Sequence, residues 1–288
     1  MDKTSSGLSA SAPAPSAKVK TVYVWDMDET LILLKSLLVG TFANSFHGGK
    51  DLKKSVEIGK QWENLIRKIC ESLFFYKEIE NFNEPYLDAL SMYDDGKDLL
   101  NYDFESDFLS SPNDIVNKRK LAYRHRSIAD KYKKGLQNLL DDQLLNAWND
   151  LYNLTDSFTD GWLSSAHEVV QQASGVMSIG EDNACNSNSV SLIVTSASLI
   201  PSLAKCLLYK LDDVISYDNT RPHTSFCCIG DGMEECCAAQ ALNWPFIQVD
   251  FRPGNPNRFP GLNKGTIRSY ISVMYGTSES DDQEKKDG

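Results

Sequence analysis

Val22-Tyr23-Val24-Trp25-Asp26-Met27-Asp28-Glu29-Thr30 runs four β-prone residues into three carboxylates within four positions. An Asp-x-Asp-x-Thr match by chance in this chain is on the order of 5% at average residue usage, and four preceding apolar residues bring it well below 1%. Open α/β sheets bind ligands beyond the carboxyl ends of their strands. On that edge Asp26 is placed to act as a carboxylate nucleophile, forming an aspartyl-phosphate. Asp28, two residues on, can give a proton to the leaving oxygen and later take one from water. Two carboxylates facing a phosphate repel it, so a hard divalent cation is expected between them, and Mg²⁺ with its few carboxylate ligands fits. The plain alternative is an acidic turn that caps a following helix.

Two further strand ends carry matching chemistry. Phe226-Cys227-Cys228-Ile229 leads into Gly230-Asp231-Gly232-Met233-Glu234-Glu235. Here Asp231 could supply a metal carboxylate, and Glu235 could bind through a metal-bound water. Ile193-Val194 ends on Thr195-Ser196, hydroxyls beside the N–H groups of a following helix, which makes a phosphate-oxygen site. Taken singly, Asp231 reads as a capping acid in a Gly-rich turn, and Thr195 as an ordinary strand residue.

The rest of the chain is organised around these ends. Ile58, Trp62, Leu65, Ile66, Ile69 and Leu73 lie on one helical face, and Ile115 to Tyr132 gives a second helix behind Ser111-Pro112. Leu144 to Leu151 and Trp162 to Val170 give two more. After a polar loop, Ser174 to Ser189, the chain alternates: strands at Ser191–Val194, Val214-Ile215, Ser225–Ile229 and Phe246–Val249, helices at Ile200–Leu211, Glu234–Leu242 and Thr266–Tyr275. Alternation predicts a parallel α/β sheet. Its first strand is most economically Val22–Trp25, far upstream. The expected organisation is therefore a polar tail over 1–19, a discontinuous α/β core over 20–36 and 189–275, an all-helical insert over 37–188, and a second polar tail over 276–288.

The 288 residues carry a net charge of −11, with 41% hydrophobic residues, which argues against a nucleic-acid or anionic-membrane binder and leaves enough apolar content for a large core. No apolar run approaches the ~18 residues needed to span a bilayer, and the N-terminus lacks the apolar core of a secretory signal. Seven cysteines in no framework read as reduced thiols in a cytoplasmic or nuclear protein. Cys227-Cys228 and Cys236-Cys237 lack the Cys-x₂-Cys spacing of zinc sites and read as buried thiols. Charge is segregated in the insert: eleven acids against one base from Glu78 to Asp114, then eight Lys/Arg against one acid from Lys118 to Lys134. The basic run could steer an anionic phosphopeptide, but reads first as a solvated helix face partly balanced by the acids before it.

The three strand ends in this order resemble the haloacid dehalogenase superfamily. More closely, Val24-Trp25-Asp26-Met27-Asp28-Glu29-Thr30, Leu192-Ile193-Val194-Thr195 with Leu199-Ile200-Pro201, and Ile229-Gly230-Asp231-Gly232 with Glu234-Glu235 resemble the Eyes absent family. Trp244-Pro245-Phe246 and Arg258-Phe259-Pro260-Gly261-Leu262 resemble its plant members. The resemblance implies a Rossmann-like parallel-sheet core with a large helical cap, and a Mg²⁺-dependent protein tyrosine phosphatase. It further implies Asp26 as nucleophile, Asp28 as acid/base with its backbone carbonyl on Mg²⁺, Thr195 and Ser196 on the phosphoryl group, Asp231 on the metal and Glu235 behind it.

One departure stands out. The family carries a lysine on a helix between the third and fourth core strands, whereas Leu211 to Gly230 contains none, only Arg221 and His223. Lys205 and Lys210 lie in the preceding helix and read as solvated helix-face charges. Tyr217 to Thr224, eight residues, reach at most ~28 Å, short for a parallel crossover. The chain thus reads as a member lacking a segment, with impaired phosphatase activity expected. The rival readings are a non-catalytic interaction or transcription cofactor that binds protein partners through its helical cap, and a small-molecule phosphomonoesterase.

Overall fold

In the computed structural model, residues 20–174, 189–213 and 224–275 are described. The expected tails, most of the polar loop after Ser174, the Val214-Ile215 strand, Arg221 and His223 lie outside them. The elements are β1 (Lys20–Trp25), α1 (Lys35–Leu38), α2 (Thr41–Asn44), α3 (Leu52–Leu73), α4 (Tyr76–Ile79), α5 (Ile115–Lys134), α6 (Asp142–Phe158) and α7 (Trp162–Ala173). They are followed by β2 (Ser189–Ile193), α8 (Leu199–Leu208), β3 (Thr224–Gly230), α9 (Met233–Ala241), β4 (Phe246–Gln248) and α10 (Lys264–Tyr275).

The four strands form one sheet of order β2-β1-β3-β4, and each neighbouring pair is parallel. The first strand does pair with strands more than 160 residues downstream: Trp25 is level with Ile193 on one side and Ile229 on the other. A central parallel strand is covered on both faces, which is why Val22, Tyr23 and Trp25 are all buried and why the last four residues of β1, Val22–Trp25, read as an unbroken apolar run. Trp25 donates its Nε1–H to Ser191 Oγ at 3.2 Å, satisfying a polar atom that burial would otherwise strand.

Several element ends differ from the sequence reading. α5 is capped by Asp114, whose carboxylate accepts from Asn117 N, and not by the Ser111-Pro112 pair, because the cap side chain must reach the N–H three residues on. β2 starts two residues earlier than expected and ends at Ile193. α8 stops at Leu208 rather than Leu211: Lys210 takes a left-handed φ of 59° and Leu211 N bonds back to Cys206 O, closing the helix. Cys227 and Cys228 are buried as expected, but Cys236 is only partly buried and Cys237 is exposed on α9.

The insert packs onto the sheet side through α3. Gly59 on α3 faces the α1 backbone so closely that a Cβ there would sit 2.6 Å from Leu38 N, so only glycine allows this crossing. Trp62 and Tyr209 stack at 4.2 Å between ring centres, and Trp62 donates to Thr155 Oγ1 of α6. Trp148 of α6 donates to Leu208 O at the end of α8. A single apolar cluster runs through insert and sheet alike, from Trp25 and Ile229 to Trp62, Leu151 and Trp162. Fully burying each aliphatic or Phe side chain in it stabilises the fold by about 1.5–3 kcal/mol.

The segregated charges of the insert meet each other. Asp94 pairs with Arg126 at 2.8 Å, Asp107 with Lys120 at 2.9 Å, and Arg119 lies 3.6 Å from Asp95. Arg124, 0% exposed, binds Glu78 at 2.8 Å and Asp107 at 3.3 Å, and also donates to the carbonyls of Phe104, Asp107 and Lys120. The basic face is therefore a clasp for the acidic segment, more buried at Arg124 and His125 than a solvated face would be.

Candidate active site

The chain leaves β1 at Trp25 and turns at once. Asp26 N still donates to Ile229 O of β3 at 2.8 Å, which fixes Asp26 at the carboxyl edge of the sheet. Leu31 N and Ile32 N both return to Met27 O, and Glu29 takes a left-handed φ of 65°. In this turn Glu29 caps: its carboxylate accepts from Leu34 N, Lys35 N and Ser36 N at the start of α1. The helix-capping alternative is thus realised by Glu29, and Asp26 and Asp28 are left for other work.

Asp231 follows β3 and comes to the same edge. Thr30, fully buried, places its hydroxyl between the two chains: it donates to Asp26 Oδ2 at 2.8 Å and lies 3.4 Å from Asp231 Oδ1. The carbonyl of Thr30 accepts from Trp162 Nε1 of α7 at 3.2 Å, and Trp162 meets Phe259 edge-on at 5.2 Å. Arg258 holds that corner, donating to Phe251 O, Phe259 O and Asp160 Oδ2. The C-terminal Arg258-Phe259 motif therefore buttresses the active turn from behind.

Glu235, in the first turn of α9, completes the acidic wall. A Cβ added at Gly230 would sit 3.2 Å from Glu235 Cγ and 3.4 Å from Asp26 Cβ, so glycine there lets the three groups close up. Thr195 and Ser196 lie just past β2 on the same sheet edge, where Val194 N bonds Trp25 O. Thr195 Oγ1 accepts from Ala197 N at 3.2 Å, turning the chain towards α8. The sequence-derived candidates Asp26, Asp28, Asp231, Glu235, Thr195 and Ser196 thus share one edge, with Asp26, Asp231 and Glu235 in closest company.

Crowding these acids has an electrostatic consequence. Burial, with smaller contributions from Glu235 and Asp231, pushes the Asp26 carboxyl up to about 6, against the opposing hydrogen bonds from Thr30 and the Met27 backbone. Asp231 is raised too, by burial first and then by Glu235. Such a wall calls for a cation. Among the described residues, Glu235 Oε2 is buried without a hydrogen-bond partner, and Asp26 and Asp231 share one hydroxyl, that of Thr30. Among the described residues no three His, Cys, Asp or Glu side chains form a ready-made cage. A hard ion that takes one or two carboxylates and keeps its waters fits this donor set; a zinc-type ion does not.

Three contributors escaped the sequence reading: Glu29, Thr30 and Lys205. Thr30 stood inside the motif, and its spacing of four from Asp26 was the available signal. Lys205 was read as solvated and is not. It is 9% exposed, and its Nζ lies 2.7 Å from both Asp28 Oδ1 and Asp28 Oδ2. Lys210 is likewise packed, its Nζ 4.2 Å from the centre of the Tyr152 ring and 5.4 Å from that of Trp148. The causes differ: Lys205 meets Asp28 of the core, whereas Lys210, just past α8, lies over the aromatic rings of α6 in the insert.

No protein-family profile matches the chain. It is 48% identical over 283 residues to protein phosphatase EYA of Arabidopsis thaliana, covering 90% of this chain and 92% of that protein. The chain belongs to the Eyes absent family. Animal members are similar at lower identity: protein phosphatase EYA2 of Homo sapiens at 31%, over 83% of this chain, and protein phosphatase eya of Drosophila melanogaster at 30%, over 85%. The chain spans 48% of the human Eyes absent protein and 36% of the Drosophila one. The parallel sheet with a helical insert is the α/β architecture expected of an Eyes absent protein with a haloacid dehalogenase-type core.

Proposed function

We propose that this chain is a protein phosphatase that hydrolyses phosphotyrosine through an aspartyl-phosphate on Asp26, with Mg²⁺ as its cofactor. The observation that carries the reading is the meeting of Asp26 and Asp231 on one buried hydroxyl, Thr30, at the carboxyl edge of the sheet. The names of its relatives support phosphatase chemistry on protein substrates.

In this reading an Asp26 oxygen attacks phosphorus, the bond from phosphorus to the tyrosyl oxygen breaks, and the leaving oxygen takes a proton from Asp28. Water then attacks the phosphoryl group and gives a proton to Asp28, and the Asp26–phosphorus bond breaks. Thr195 and Ser196, with the N–H groups leading to α8, hold phosphoryl oxygens. When bound beside Asp26, Asp231 and the Asp28 carbonyl, with Glu235 behind, Mg²⁺ offsets the negative charge of the acidic wall and of the phosphate.

The test is steady-state release of phosphate from a phosphotyrosyl peptide, a phosphoseryl peptide and small phosphomonoesters, with Mg²⁺ and with a chelator. Mg²⁺-dependent turnover of the phosphotyrosyl peptide that disappears in Asp26→Asn is expected. Turnover confined to small phosphomonoesters would remove protein substrates from the reading. The sequence departure from the family in the stretch after Leu211 predicts a rate below that of a version carrying a full crossover.

A further inference from the structure

Asp26, Asp28, Glu29, Asp231 and Glu235 crowd one edge of the sheet. Among the described residues, Lys205 is the one basic side chain that pairs with any of these five. It comes from α8 and ends symmetrically on both oxygens of Asp28, a carboxylate whose side chain is itself 35% exposed. Such a contact holds the carboxylate plane in one orientation, and a buried ammonium left without it would be strongly unfavourable.

We infer that Lys205 is the positioning residue for Asp28 in this chain: its contact with both carboxyl oxygens holds Asp28 in one orientation, the one from which it takes the proton of attacking water when the phospho-enzyme is hydrolysed. The assignment rests on the phosphatase reading above and deepens it. The chain has no lysine between Leu211 and Gly230; among the described residues, the cation that meets these acids comes from the helix before that stretch and contacts the acid/base rather than the nucleophile. In the phosphorylation step Asp26 attacks phosphorus, and with p-nitrophenyl phosphate the stable nitrophenolate departs without needing the Asp28 proton, so this step depends little on how Asp28 is held. In the second step water oxygen bonds to phosphorus, its proton goes to the clamped Asp28 oxygen, and the Asp26–phosphorus bond breaks. A carboxylate displaced by about 1 Å can cost a hundred-fold in such a step.

The experiment compares the wild-type chain with Lys205→Met and Lys205→Arg in Mg²⁺, reading kcat, KM and acid-quenched incorporation of labelled phosphate from p-nitrophenyl phosphate. The expected result for Lys205→Met is a kcat lower by about 10- to 100-fold, with a parallel fall in KM. Its kcat/KM is nearly unchanged and labelled phospho-enzyme accumulates. Lys205→Arg recovers most of kcat. In an Asp28→Asn background the substitution has no further effect on kcat. A merely structural lysine would lower kcat and kcat/KM together without accumulation of label, and that result overturns the assignment, as does an unchanged kcat. If Lys205→Met does not fold, Lys205→Gln, neutral but still a donor, is read by the same criteria. A wild-type chain that neither turns over nor takes up label overturns the phosphatase reading and this role with it. A labelled, active wild type with indifferent variants overturns the role alone.

Discussion

Thr30 and Asp231 are 201 residues apart in the chain, yet the Thr30 hydroxyl lies 3.4 Å from Asp231 Oδ1 while it donates to Asp26 Oδ2 at 2.8 Å. One hydroxyl carries one proton, so it can serve a single carboxylate at a time, and the shorter contact goes to Asp26. Among the described residues, Glu235 Oε2 of the same wall is buried with no donor at all and is left to water or to a cation.

Thr30→Val keeps the shape of the side chain and removes that proton. The carboxylates of Asp26 and Asp231 then face each other with no protein donor between them. We expect a loss of about 1–3 kcal/mol, the usual cost of an unsatisfied partner at a buried site. Denaturant unfolding of the chelated protein should show it. Thr30→Ser should stay within about 1 kcal/mol of wild type, and equal losses in both variants would contradict the hydroxyl's role.

Asp26→Asn removes the nucleophile but preserves an acceptor for Thr30. Turnover should fall by about a thousand-fold or more, since an amide oxygen does not replace a carboxylate nucleophile. In the absence of divalent cation the same variant should melt higher than wild type, because it removes the cost of burying the charge, and with it the smaller repulsion from Glu235 and Asp231, that together raise the Asp26 carboxyl. Loss of activity accompanied by a lower melting temperature would assign Asp26 a structural role instead.

The pH dependence of the chelated protein follows from the same carboxyl. Asp26 titrates near 6 in the folded chain, above its ordinary 3.8, so the folded state binds this proton more tightly than the unfolded one. Its contribution is most favourable below the ordinary value and is lost as pH rises through about 6. Thermal stability without divalent cation should therefore decline from pH 5 to pH 7.5 on account of this group, and Asp26→Asn should flatten the decline. Mg²⁺ should raise the melting temperature at pH 7.5 and do little at pH 5, where protons hold the site. An equal Mg²⁺ effect at both values would count against binding at Asp26.

Arg124→Met leaves Glu78 and Asp107 without their shared guanidinium, and frees the carbonyls of Phe104, Asp107 and Lys120. Breaking a buried pair from one side costs about 3–5 kcal/mol; with Glu78 42% exposed, water will reclaim part of that. We expect about 2–3 kcal/mol by denaturant titration, together with faster proteolytic cutting between residues 94 and 110. Unchanged cutting would mean that the acidic segment is held by its other pairs alone.

How much of this was legible beforehand depends on range. The strand leading to Asp26, the second leading to Asp231, and the helical face of Ile58, Trp62 and Ile69 are local patterns, short unbroken apolar runs or a period near 3.6, and each appears in the structure where the pattern put it. Helix ends were less legible, as Asp114 and Lys210 show, because a cap depends on which side chain reaches a given N–H.

The amino-acid order by itself determined the parallel α/β class, the acids at its strand ends and the resemblance to the Eyes absent family, since strand period, turn chemistry and motif spacing all act within a few residues. Only the tertiary structure decided what Thr30, Glu29, Arg124 and Lys205 do. Their partners lie on other elements or depend on the shape of one tight turn, and whether a lysine meets water or a carboxylate is settled when α3 closes over α8. Burial is a property of what packs against a face, and no face carries that information alone.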